Sequence, residues 1–180
     1  MKKIIITIIA IVVILCAVLI VLNWNAIQLW CALSSYNRML DSELPEDLTL
    51  TIYYVPADVL TRAPLTVDRL KKATYAVKIV VPSGELSKHI ATLKRLDSST
   101  VHSRCAGDTH YLNARFYYVF ATKSSEELEV VMESFAYESG MNAFVNGIEV
   151  KSNPVLYEIV LPFLSDEDRS ALRLNDLDSN

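Results

Sequence analysis

Glycine is scarce in this chain, with four in 180 residues. A loop that approaches a phosphate closely needs several positions without a side chain, and no Gly-rich phosphate loop is present. The Gly-x-Ser-x-Gly elbow and the HExxH zinc motif are missing too. No two carboxylates stand out as an acid–base couple. There is no excess of positive charge: 17 Lys and Arg face 21 Asp and Glu, for a net charge of −4. Nucleic acid is therefore not an expected partner, because it requires a basic footprint. Histidine and cysteine number three each. The chain has no low-complexity segment and no internal repeat, and nothing in it implies a cofactor.

What the chain does have is a long apolar run. From Ile4 to Leu22, "IIITIIAIVVILCAVLIVL", 19 residues carry no charge. At about 1.5 Å of rise per residue they span roughly 28 Å as a helix, close to the hydrocarbon thickness of a bilayer. Lys2 and Lys3 precede the run, and acidic residues (Asp41, Glu43, Glu46, Asp47) follow it. Basic flanks stay in the cytoplasm, so the expected topology is single-pass, with the N-terminus inside and the rest of the chain outside. A cleaved signal peptide fits less well. Its apolar core would exceed the usual ~7–15 residues, and Trp24 or Trp30 would occupy the −3 position of the available cleavage sites. Cys16 follows Leu15 and Cys31 follows Trp30, so neither has the small preceding residue that a lipoprotein signal needs. The expected organisation is a membrane anchor at 1–23, a juxtamembrane stem at 24–45, an extracytoplasmic domain at 46–165 and a polar acidic tail at 166–180. Trp24 and Trp30 suit the headgroup zone. In the stem, Ile27, Trp30, Leu33 and Tyr36 read as one helical side, and "DSELPED" breaks the helix.

Strand signals recur in the domain: "LTLTIYYV" (48–55), "YAVKIVV" (75–81), "NARFYYVFAT" (113–122) and "LEVVMESFA" (128–136). "AFVNGIEV" (143–150) predicts a tight hairpin, since Asn146-Gly147 suits a two-residue turn with positive φ at both central positions. Two helices are expected. One is "GELSKHIATLKRL", capped by Ser83, with Leu86, Ile90, Leu93 and Leu96 on the buried stripe. The other opens at Asn153-Pro154 and stops by Pro162. The fold class is α+β: a transmembrane helix, then an antiparallel sheet with one or two helices packed on one face.

The ending "FVNGIEVKSNPVLYEIVLPFL", together with the apolar run, resembles the small uncharacterised domains that follow a single anchor in bacterial envelope proteins. The likeness covers about the last 40 residues and the anchor. It implies an envelope location and carries over no catalytic residues.

Reactive atoms concentrate in "VHSRCAGDTHY" (101–111). A zinc reading would use His102, Cys105 and His110, with Asp108 as fourth ligand. The paired short-spaced ligands of a structural zinc site are absent, however. A nucleophile reading pairs Cys105 with His102 or His110, with Arg104 adding positive charge. Catalytic Cys–His pairs usually come from separate elements. The favoured reading is a polar loop in which Ala106-Gly107-Asp108 makes the turn. A disulfide is a further candidate. Cys31 sits nine residues past Leu22, about 14 Å along a helix, where a Cys31–Cys105 bond would staple the domain to the stem. Free thiols are the favoured outcome.

Charge is unevenly spread. From Arg69 to Arg95 there are seven basic residues and one acid, and from Ser124 to Val150 six glutamates and no base. Arg69, Lys71, Lys72, Lys88, Lys94 and Arg95 are a possible basic contact surface for lipid headgroups or an acidic envelope polymer; solvated helix and strand faces are the plainer reading. Tyr53, Tyr54, Tyr117 and Tyr118 line a groove or, more in keeping with strand aromatics, fill the core. The expected function is a membrane-anchored, non-catalytic binding domain whose partners are the bilayer, through Ile4 to Leu22, and a protein or envelope component. The alternatives are an accessory or immunity-type subunit acting through its anchor, and an anchored metal or thiol enzyme.

Overall fold

The computed structural model describes residues 2–42, 44–56, 58–61, 63–104, 113–134, 142–151 and 153–171. The chain opens with two helices, α1 (Lys2–Leu22) and α2 (Trp24–Asp41), separated by Asn23. Then come β1 (Thr49–Tyr54), α3 (Val67–Lys72), β2 (Val77–Pro82), α4 (Ser83–Leu86), α5 (Ile90–Leu93), β3 (Phe116–Ala121), β4 (Glu126–Met132), β5 (Asn142–Val145) and β6 (Ile148–Lys151). Two short helices follow, α6 (Val155–Glu158) and α7 (Asp166–Ala171). The fold is α+β. Its six strands form one antiparallel sheet in the order β2-β1-β3-β4-β5-β6.

Alternation along the strands produces two faces. On β3, Phe116, Tyr118 and Phe120 point into the main core with Leu50, Ile52 and Tyr54 of β1 and Leu128 and Val130 of β4. Tyr117 and Val119 point the other way, into a smaller cluster with Val131, Leu65 and Leu70. α2 covers the main face over β4 and β6, and α4 covers it over β1 and β2. α3 packs near β1 and sends Leu70 into the smaller cluster. Helices therefore sit on both faces, a correction to the expected single covered face. The segment that closes the second face is short, and its Thr66 cap accepts from the Arg69 N–H at 3.3 Å.

α2 is built into the domain. Leu29, Leu33, Tyr36 and Leu40 are its buried residues, on one helical stripe. At about 1.5–3 kcal/mol per large apolar side chain, the four contribute roughly 6–12 kcal/mol relative to exposure. That is comparable to the whole stability of an ordinary domain, so α2 stays on the sheet. The Tyr36 hydroxyl donates to the Leu93 carbonyl at 3.4 Å, and its ring meets Phe120 at 5.1 Å between centroids. Asn37 Nδ2 donates to the Leu96 carbonyl at 3.2 Å. The expected stripe of Ile27, Trp30, Leu33 and Tyr36 is corrected: Ile27 and Trp30 lie on the exposed side.

The expected helix at 83–96 is broken into α4, a 3-10 turn at Ser87–His89 and α5. His89 leaves helical geometry at φ −119°, ψ 19°, and the Ser87 hydroxyl bonds back to the Gly84 carbonyl at 2.9 Å. Leu86, Leu93 and Leu96 are buried as expected, and Ile90 is half-buried. Ser83 is not the cap. Pro82 holds that position in extended backbone, with no side-chain bond. Pro154 holds the cap position of α6, which starts one residue later than read; Asn153 Oδ1 still accepts from the Val155 N–H at 3.0 Å. The hairpin forms as read, with Asn146 at φ 47° and Gly147 at φ 75°.

Candidate functional site

The stretch that concentrates reactive atoms begins as sheet. Ser103 bridges Val150, the Arg104 N–H donates to the Glu149 carbonyl at 2.9 Å, and the Lys151 N–H donates to the His102 carbonyl at 3.2 Å. Residues 102–104 thus lie along the outer edge of β6. Val101 is buried and His102 is exposed. The Arg104 guanidinium is engaged structurally, with Nη1 3.0 Å from Asn142 Oδ1 and 3.5 Å from Glu149 Oε1. His102 stands at a cleft of about 250 Å³ lined also by Ala26, Leu29, Trp30, Ser98 and Ser103. Cys105, Asp108 and His110 lie outside the described residues. Among the described residues, no three His, Cys, Asp or Glu side chains group as metal ligands. Cys31 is exposed and its thiol is free, as is that of Cys16.

A second cleft, of about 500 Å³, is polar: Arg95, Asp97, Ser99, Thr100, Asn153 and Glu158 line it with Pro154 and Val155. Its groups hold one another. Arg95 Nη2 is 2.6 Å from Glu158 Oε2. Asp97 Oδ1 accepts from the Ser99 N–H at 2.7 Å, the Ser99 hydroxyl at 2.6 Å and the Thr100 N–H at 3.0 Å. The Ser99 hydroxyl, followed by the Ser99 and Thr100 amides, holds the Asp97 carboxyl below the usual range. A carboxylate so stabilised is a weak base near neutral pH. Asn153 Nδ2 donates to the Thr100 carbonyl at 2.6 Å, which ties this turn to the start of α6. The buried tyrosines are no better suited to proton transfer. Burial pushes the Tyr36 and Tyr118 hydroxyls far above their ordinary value, and the Tyr118 hydroxyl donates to the Leu156 carbonyl at 2.9 Å.

The possible basic contact surface is divided. Arg69, Lys71 and Lys72 ride on α3, whose Leu70 enters the smaller cluster. Lys88, Lys94 and Arg95 belong to the segment whose Leu86, Leu93 and Leu96 enter the main core on the opposite face of the sheet. Lys88 pairs with Glu85 at 2.6 Å, Lys94 with Asp41 at 2.6 Å and Arg95 with Glu158. Lys71 Nζ sits 4.5 Å from the Tyr117 ring centroid. The tyrosine set is core: Tyr54, Tyr117 and Tyr118 are buried, and Tyr53 is half-buried beside Tyr117.

The apolar run on which the sequence reading rests is exposed. Every described side chain from Ile8 to Leu22 is exposed, and past Asn23 the exposure continues at Trp24, Ile27 and Trp30. The chain bends by 65° between residues 8–22 and α2. At the break the Asn23 N–H and Nδ2 both donate to the Leu19 carbonyl, at 3.1 and 2.8 Å. Among the described residues, with the first helix taken from Ile8, no single helix is long and apolar enough to cross a membrane; residues 8–22 and α2 pass that test only together, as a bent pair, by length and composition. Compared with known proteins, the chain matches no family model, no curated protein and no solved structure.

Proposed function

We propose that this chain is a membrane-anchored binding domain of the cell envelope, with α1 as a single-pass anchor, its N-terminus cytoplasmic and the sheet domain outside. One observation carries the reading: the apolar side chains of residues 8–22 are exposed, while the next helix is locked into the core of the domain. Soluble proteins rarely leave so large an apolar surface in water. In the backbone α1 runs 21 residues, and the uncharged stretch within it suits a bilayer. Lys2 and Lys3 favour the cytoplasm for its start. The role of the domain is to present a surface to a protein or envelope component. In the larger cleft Arg95, Asp97, Ser99, Asn153 and Glu158 serve turns and an ion pair, which supports binding over catalysis.

The test is an alkaline phosphatase fusion at the C-terminus, expressed in a bacterium, with alkaline carbonate extraction of the membranes. The expected result is an active fusion that stays in the membrane pellet. An inactive fusion, or one that carbonate releases, would sink the reading.

A further inference from the structure

We propose that the first half of α2 lies in the lipid headgroup layer and rests the domain on the bilayer surface instead of holding it away on a stalk. This rests on the reading of α1 as an anchor. With α1 along the bilayer normal, the 65° bend leaves α2 about 25° from the membrane plane. Trp30 lies six residues after Trp24, about 9 Å along the helix axis. An upright helix would lift it by that full distance; at this inclination it climbs only about 4 Å. The headgroup zone of one leaflet is roughly 5–7 Å deep, so both indoles stay within it.

The side chains agree with the tilt. At about 100° per residue, Trp24, Ile27, Cys31 and Arg38 fall within about 60° of one another, opposite the buried Leu29, Leu33, Tyr36 and Leu40. Trp24 is 52% exposed, Ile27 37% and Trp30, flanking the stripe, 58%. The apolar residues occupy the end nearest α1. Arg38, also exposed, comes 14 residues after Trp24, at about 9 Å of climb, where a long basic side chain reaches down to lipid phosphate. An amphipathic helix with aromatic rings low and a cation high is an interfacial pattern. Continuity with α1 identifies the occupant: the stripe begins two residues after the apolar helix ends, so the phospholipid layer around that helix is what meets it. The cleft between Trp30 and His102 then opens at headgroup level.

Trp24 and Trp30 are the only tryptophans, so native fluorescence reports this face alone. The full chain and the single-tryptophan variants Trp24→Phe and Trp30→Phe would be reconstituted in phosphatidylcholine–phosphatidylglycerol vesicles. The lipids would carry bromine near the glycerol end of the acyl chains, and flotation would confirm insertion. Both indoles are exposed, so neither substitution touches the core. The expected result is quenching of Trp30 to within about twofold of Trp24. Quenching of Trp24 with none of Trp30 would overturn the proposal and leave the anchor intact. A chain that fails to float with the vesicles would remove the anchor, and the proposal with it.

Discussion

Truncating Leu33 to alanine tests whether α2 belongs to the folded domain. Leu33 is fully buried at the centre of the α2 stripe. The loss of its methyl-bearing carbons forfeits transfer free energy of about 0.8 kcal/mol per carbon group. The cavity left behind brings such substitutions to about 2.7–5 kcal/mol. Taking about 3 kcal/mol, and a urea dependence of about 1.5–2 kcal/mol per molar for a domain of this size, the unfolding midpoint should fall by roughly 1.5–2 M. Ile27→Ala, on the exposed side of the same helix, should stay within about 0.5 kcal/mol of the parent. The assay is urea unfolding of the full chain in detergent, followed by circular dichroism and tryptophan fluorescence together. If Leu33→Ala and Ile27→Ala shift the midpoint equally, the apolar stripe does not hold α2 on the sheet, and the helix is a detached stem after all.

Two further outcomes are expected. Gly147→Ala should cost about 1–2 kcal/mol, because φ is +75° there and nothing lies within 4 Å of an added Cβ, so the cost is that of a left-handed backbone alone; an unchanged Tm in thermal unfolding would refute the turn geometry. Asp97→Ala should remove the acceptor of three hydrogen bonds and cost about 1–2 kcal/mol. The folded carboxyl lies below its ordinary value, so its contribution is complete above an unfolded pKa of about 3.9 and is lost as pH falls through the lower folded one. Between about pH 5 and pH 2 the parent should therefore lose more stability than the variant, and parallel acid limbs in urea titrations would contradict the assignment.

Some local signals in the sequence held, though the Ser83 cap did not. Asn146-Gly147 announces its turn because few other dipeptides accept positive φ twice. The strands at 48–55, 75–81, 113–122, 128–136 and 143–150 carry β-branched and aromatic residues, and each contains or overlaps a strand of the sheet. The misreadings come from competition. α2 carries two apolar stripes, one for the core and one facing outward, and periodicity alone does not say which is buried. The expected side mixed residues of both: Ile27 and Trp30 from the outer, Leu33 and Tyr36 from the inner. α3 is only six residues long, too brief to show a period. The placement of 102–104 along β6 is a pairing between segments more than 40 residues apart in the chain, and nothing in the local composition of "VHSR" encodes it. The division of the basic residues between two faces follows from sheet topology, which a charge count along the chain does not see.

The seating of α2 also sets an order of events during synthesis. Its stripe is translated first, yet it packs against β4 and β6, the latter more than a hundred residues downstream. At roughly 5–20 residues per second, Leu33 waits on the order of 6–25 s for the strands that will cover it. In that interval the helix has no sheet to rest on, and the long loop that must close makes the docking step intrinsically slow. A chain interrupted before β6 would leave that stripe without the strand that completes its cover.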